Sequence, residues 1–314
     1  MKLIMENWRK HLTESRSITW KQLELQIRKQ NDNDEEVFYL TNEFLQRYSS
    51  EMHSLLAKRR GEDKITKSKK GLKITPKGQS FSPDLRWSAE FGALPNPRAA
   101  GASYSTAAPK NMPKSRREQG HISFNTAMHA EIEVAAADAS RAMRAQNLAG
   151  FIRRPPKVHP GAPNIYDYDA VKGYLKFLGF FSAISFMQLV QHEIGHHIQF
   201  NMGDATDIEV YKEIYGEKWQ DVFDNCYDAE LAVTSQDIKL LRRAIPMIHS
   251  DFRKDNLPAG IKWKTWVDPN PESHKEFIKM VTPMINKIMA DSIRSMENYN
   301  NHSRAAIKVC LEKK

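Results

Sequence analysis

The segment "LVQHEIGHHIQF", Leu189 to Phe200, sets three histidines and a glutamate at the close of an apolar run. On an α-helix, residues four apart differ by about 40° of rotation and one turn of rise, so His192 and His196 present imidazoles to one point. That geometry suits two ligands of one metal ion. Glu193 lies about 100° round from His192, where a carboxylate reaches a metal-bound water without taking a coordination position. Zinc lowers the pKa of such a water to about 7, and the carboxylate can accept its proton as hydroxide attacks a carbonyl carbon. The chemistry implied is peptide hydrolysis with Zn²⁺ as cofactor and Glu193 as general base. His197, at about 140° from His192, points away from the pair and is not read as a ligand.

A third ligand is needed, and after His197 the next histidine is the distant His249. The segment "WQDVFDNCYDAELAVTSQDIKLL" offers carboxylates. Read as one helix, it sets Phe223, Cys226, Tyr227, Glu230, Val233, Asp237 and Leu241 on a shared face, which places two acids in an apolar stripe. Buried carboxylates require partners, and a metal is one. Glu230 is the preferred third ligand, with Asp224 and Asp228 as alternatives. Asp237 is the candidate acceptor behind a ligand imidazole. An oxyanion-stabilising group is also required, and Tyr211, Tyr215, His249 and His274 are candidates among which the sequence does not choose.

"HEIGHH" resembles the active-site helix of the zincin metallopeptidases. The resemblance covers about residues 120 to 240 and implies Zn²⁺, with His192 and His196 as ligands and Glu193 as base. It also implies a short edge strand ahead of this helix to bind extended substrate, and "HISFN" is the candidate. The metzincin pattern would place glycine three residues and histidine six residues after His196, where this chain has Gln199 and Met202. The glutamate-ligand branch, the gluzincins, fits better and points to Glu230. Many of its members carry an acid four residues after that ligand, where this chain has Thr234.

The elements that must position these groups are read from spacing and breakers. The motif helix is expected to start after Asp167 or Asp169, either of which could cap it, and to run to about Asn201. A second helix is expected from Lys218 to about Ala244, ended by Pro246, and Pro283 is expected to interrupt the C-terminal helices after the turn at "DPNPES". "GHISFNTAM" alternates with period two, as a short strand does, and Ala130 to Gln146 is Ala-rich and helical in character. Residues 58–79, "KRRGEDKITKSKKGLKITPKGQ", read as a basic arm, and the Pro, Gly, Ala and Ser of 80–120 read as irregular chain.

The fold class expected is therefore α+β and predominantly helical. It comprises a helical N-terminal section at 1–57, a basic irregular linker at 58–118, a zincin-like domain at 119–250 and a C-terminal helical extension at 251–314. Residues 1–120 carry 23 Lys+Arg against 14 Asp+Glu, whereas 121–314 are balanced at 24 each. Besides a protein or peptide substrate, nucleic acid or another polyanion is thus a candidate partner for the basic region 58–79.

Only Cys226 and Cys310 occur, without C-x-x-C spacing, so a disulfide framework and a Cys-rich zinc module are not expected. A cytoplasmic, reducing compartment fits, and early charges at Glu6, Arg9 and Lys10 argue against an export signal. The uncharged run Phe177 to Gln191 is read as a buried helix, too short and polar to span a bilayer.

The opening "MKLIMENWRKHLTE" resembles that of many proteins of T4-like marine phages, whose prohead protease favours cleavage after glutamates such as Glu6 and Glu14 in this chain. That resemblance covers under a twentieth of the sequence. It implies a phage protein resident in host cytoplasm or virion, and admits a virion or assembly role in which the HExxH site is structural or inactive.

Overall fold

The computed structural model describes residues 17–19, 22, 40–41, 43–45, 47–49, 64–68, 71–75, 87–92, 102–105, 120–125, 148–154, 165–202 and 205–313. The described chain is mostly helical, as the composition implies. Among the described residues the strands are β1 Ser17–Thr19, β2 Lys64–Ser68, β3 Gly71–Thr75, β4 Trp87–Gly92, β5 Ala102–Ser105, β6 Gly120–Asn125 and β7 Ile165–Asp167. Five helices follow: α1 Tyr168–Met202, α2 Ala205–Tyr215, α3 Trp219–Cys226, α4 Ala229–Arg253 and α5 Pro271–Glu312.

Helix α1 begins where an aspartate can satisfy orphan amides: Asp167 Oδ1 accepts from the N–H groups of Asp169 and Ala170, both at 2.9 Å. Thirty-five residues later it has carried the motif through the middle of the molecule. Its side chains are buried on most faces, among them Val171, Phe177, Phe180, Phe181, Ile184, Met187, Val190 and Ile194. By length and composition Tyr168–His196 is enough to cross a membrane, contrary to the shorter stretch expected. The weakly charged run extends further toward the N-terminus than Phe177. In this fold those apolar faces are taken up by the core.

An aromatic cluster fills that core, with Phe177 against Phe180, Phe181, Phe252, Trp266 and Phe277 at centroid separations of 5.3–6.1 Å. Gly173 is required beneath it, because a Cβ there would meet Trp266 Cδ1 at 2.8 Å. Helices α4 and α5 pack on each other and on α1. The boundary expected at 250 therefore falls inside α4, and the C-terminal helix belongs to the core.

The prolines expected to stop helices do not. Pro246 lies within α4 and Pro283 within α5. Both sit on exposed faces, while Ala244 and Ile248, and Val281 and Ile285, stay buried on either side. A proline costs the helix a hydrogen bond, but on the convex, solvated side water serves the freed carbonyl and packing holds the course. Conversely, the single helix expected from Lys218 is broken at Tyr227–Asp228, which are extended.

The basic stretch expected to be irregular contains four strands. β2 and β3 pair antiparallel with Ile65 opposite Ile74 and Lys67 opposite Leu72, and the five-stranded order is β2-β3-β4-β6-β5. Lysines interleaved with the apolar residues hid the period-two pattern, and charge on an outer strand such as β2 also discourages further pairing. "HISFN" is a strand, β6, but an inner one, parallel to β4 and antiparallel to β5. The outer strand lying against α1 is β5. In the N-terminal section, Leu40, Phe44, Leu45 and Tyr48 are helical and buried, with Phe44 5.4 Å from Phe180. Ser17–Thr19 is by contrast a strand, antiparallel to β7 at the head of α1. Residues 1–14, the remainder of the basic arm and Ala130 to Gln146 lie outside the described residues.

Candidate metal centre

The two histidines arrive on successive turns of α1, and α4 brings Glu230 to meet them. Glu230 Oε2 lies 3.2 Å from His192 Nε2, Glu230 Oε1 lies 3.1 Å from His196 Nε2, and the two Nε2 atoms are 3.2 Å apart. Two atoms bound to zinc at about 2.0–2.1 Å with tetrahedral angles stand about 3.3 Å from each other. The contact between the two Nε2 atoms, and that of each with its own oxygen of Glu230, is close to this separation, and one ligand atom from each of the three residues lies within 4.8 Å of the others.

The protonation logic points the same way. His192 Nδ1 lies 2.8 Å from Asp237 Oδ2, so it carries the hydrogen and donates. His196 Nδ1 lies 3.2 Å from Gln199 Oε1, an acceptor because the amide nitrogen of Gln199 already donates to Asp207 Oδ2 and the Ala229 carbonyl. Both neutral imidazoles therefore turn Nε2 lone pairs toward a carboxylate. Such a set of acceptors repels itself unless a cation sits among them. Glu193 Oε2 is, besides, a buried oxygen without a hydrogen-bond partner, and Glu230 Oε2 is a buried oxygen facing His192 Nε2. The residues fit a divalent metal, and three protein ligands leave a fourth position for water or substrate.

Without metal, protons take the cation's place. Burial disfavours the His192 imidazolium, but hydrogen bonds to Asp237 and Glu230 outweigh it and hold the pKa at about 10. His196 is raised too, burial being overcome by its contact with Glu230. Glu230, although burial acts to raise it, is held far below the usual carboxylate range by its two imidazole partners. Glu193, 4% exposed, is pushed up to about 7, chiefly by burial, with the positive imidazoles pulling against that. A carboxyl that exchanges its proton near neutrality is suited to general-base work.

Behind the ligands lies a buried polar chain that no single helix could supply. Ser49 Oγ donates to Gln191 Oε1 at 2.7 Å, and Gln191 Nε2 donates to Asp237 Oδ1 at 3.1 Å. Asp237 then holds His192. The sequence placed Asp237 behind an imidazole, and the fold brings it there. It also brings Glu230 to both histidines, but not the alternative acids: Asp228 caps α4 by accepting from the Glu230 N–H at 2.9 Å, and Asp224 is an exposed residue of α3. The side chain of His197 lies outside the described residues.

Of the four candidates for an oxyanion donor, none stands free at the metal. Tyr211 is fully buried, its hydroxyl donating to the Asp228 carbonyl at 3.1 Å and accepting from the Asp228 N–H at 2.7 Å. The Tyr215 ring lies tilted beside that of Tyr211, His249 bonds Asn286 on α5 at 2.6 Å, and the His274 ring stands edge-on to Trp263. A tyrosine that the sequence reading did not name, Tyr299 of α5, lies near the pair, 50% exposed and with its ring centroid 6.4 Å from that of His192. Gln199 was also missed as a functional residue. Its signal was present three residues after His196, on the same helix face.

The expectation from the cysteines is overturned. Cys226 and Cys310 are joined, Cα to Cα 5.9 Å across 84 residues of sequence. Spacing along the chain cannot reveal a pair that only the packing of α5 on α3 brings together. No family model, curated protein or solved structure matches this chain.

Proposed function

We propose that the chain is a zinc-dependent metallopeptidase with a zincin-like, gluzincin-type centre: His192, His196 and Glu230 hold the ion, and Glu193 is the general base. The observation that carries this reading is the meeting of two imidazole Nε2 atoms, 3.2 Å apart, with the Glu230 carboxylate, one of whose oxygens lies 3.1–3.2 Å from each. Zinc, when bound, supplies the positive charge that acidifies water and polarises a peptide carbonyl.

The chain's own residues do the rest. Asp237 and Gln199 hold the two imidazoles with Nε2 free for the ion. Glu193 takes a proton on Oε2 as water adds to the carbonyl, and returns it to the departing amine. The centre is reached from the Glu230 side, whose side chain is 45% exposed against 11% for His192 and 15% for His196. Tyr299 stands near His192 and is placed to donate to the substrate oxygen.

Elemental analysis of the purified chain, together with digestion of a peptide library, tests the reading. About one zinc per chain is expected, lost in His196→Ala. Glu193→Gln should retain zinc and fold while cleavage falls by roughly a hundredfold or more. Undiminished cleavage in Glu193→Gln would remove the base, and a chain that takes up no zinc at neutral pH would remove the whole reading.

A further inference from the structure

Helices α3 and α4 meet at a two-residue corner, and that corner sets where Glu230 stands. Cys226 ends α3, Tyr227 and Asp228 turn the chain, and Glu230 follows in the first turn of α4. The corner is gripped from α1 by Gln199, which donates to Tyr227 Oη at 3.0 Å and to the Ala229 carbonyl at 3.1 Å while backing His196. Tyr227 in turn donates to Asp207 at 2.5 Å. From the other side it is gripped covalently, through Cys226, by Cys310 in the last turn of α5. Earlier on α5, Asn300 Nδ2 holds the start of α4, donating to the Leu231 carbonyl at 3.2 Å and to Thr234 Oγ1 at 2.9 Å.

We propose that the Cys226–Cys310 bridge is a redox control on the metal centre: closed, it holds the corner so that Glu230 completes the ligand set; open, it lets the corner shift and lowers metal affinity. The proposal rests on Glu230 being a ligand, as in the metallopeptidase reading. The step is a thiol–disulfide exchange. A dithiol reductant attacks one sulfur, the Sγ–Sγ bond breaks, and two electrons and two protons convert the bridge to two thiols as the reductant closes to its own disulfide. Cys310, half-buried near the helix end, is the more accessible partner, whereas Cys226 is 6% exposed. Because Asn300 and Gln199 still hold the corner, opening weakens the site without erasing it. The expected loss is about tenfold, the scale of losing support behind a ligand.

The test titrates Zn²⁺ against a chromophoric chelator, using the full chain oxidised, the full chain reduced by a water-soluble phosphine, and Cys310→Ser. Reduced protein and Cys310→Ser should bind zinc about tenfold more weakly than oxidised protein, to the same degree, and the variant should not respond to phosphine. Affinities equal within about twofold, with zinc bound in all three, would overturn the redox control and leave the metallopeptidase reading standing. Absence of zinc from every form would bring down both. If Cys310→Ser does not fold, reduced and re-oxidised wild type decide alone. Loss of near-ultraviolet dichroism on reduction would overturn the proposal, since the bridge would then support the whole molecule and not this corner.

Discussion

The two imidazoles of the candidate metal centre, one helical turn apart on α1, are supported in opposite ways. His192 is backed by a fully buried carboxylate, Asp237, which belongs to the core chain running through Gln191 to Ser49. His196 is backed by a neutral amide, Gln199, whose other contacts go to the α3–α4 corner near the rim. A carboxylate raises the basicity of its imidazole and is costly to leave without partners. An amide orients its imidazole and adds no charge. One imidazole is therefore anchored to the core, and the other to the corner between α3 and α4.

The largest break in that asymmetry should come at Asp237. Asp237→Ala leaves donors on His192 and Gln191 buried without an acceptor, so unfolding stability should fall by about 3 kcal/mol even with a chelator present. Zinc affinity should fall by as much as roughly a hundredfold. Denaturant melts and chelator competition measure both, and a stability change under about 1 kcal/mol would show that this side is no more anchored than the other.

Gln199→Ala should separate the two quantities. Gln199 itself is uncharged and its hydrogen bonds are at most part-buried, so about tenfold in zinc affinity is expected with less than about 1 kcal/mol in stability. An equal loss of stability in the two variants would erase the contrast.

Proton release sharpens the difference further. His192 is protonated up to about pH 10 in the metal-free chain, burial notwithstanding, because Asp237 and Glu230 favour the charged form. Metal must displace that proton, so zinc affinity should rise with pH through neutrality, by about tenfold per unit for each proton released. Asp237→Asn removes the strongest cause of the raised pKa and should flatten the dependence. Calorimetry in buffers of different ionisation enthalpy counts the protons, and an unchanged count in Asp237→Asn would assign the proton elsewhere. The smallest effect on the metal belongs to Tyr299→Phe. Zinc affinity should stay within about twofold while kcat for peptide cleavage falls by about tenfold; a change confined to KM would make Tyr299 a binding contact.

Much of the centre was legible beforehand because it is local. The spacing of His192 and His196 aims two side chains at one point on any helix, and Asp167 announces the start of that helix by its capping chemistry. Glu230 and Asp237 were found as acids in an apolar stripe, although the helix assumed to carry them continuously from Phe223 breaks at Asp228. What misled the reading was local as well. Pro246 and Pro283 look like stops until their exposed positions are known, and lysines disguised β2 and β3 as a solvated arm.

The sequence by itself determined the HExxH pair, the adjoining carboxylate and a long apolar helix to carry them, since helical periodicity is a property of neighbours along the chain. Only the tertiary structure decided that His192 leans on Asp237 across 45 residues, that Asn300 holds the turn behind Glu230 across 69, and that Cys226 is joined to Cys310 across 84. It likewise brought Tyr299 beside His192. Those pairings depend on which faces of α1, α4 and α5 bury against each other. That is set by side-chain packing over the whole core, and no short window of sequence contains it.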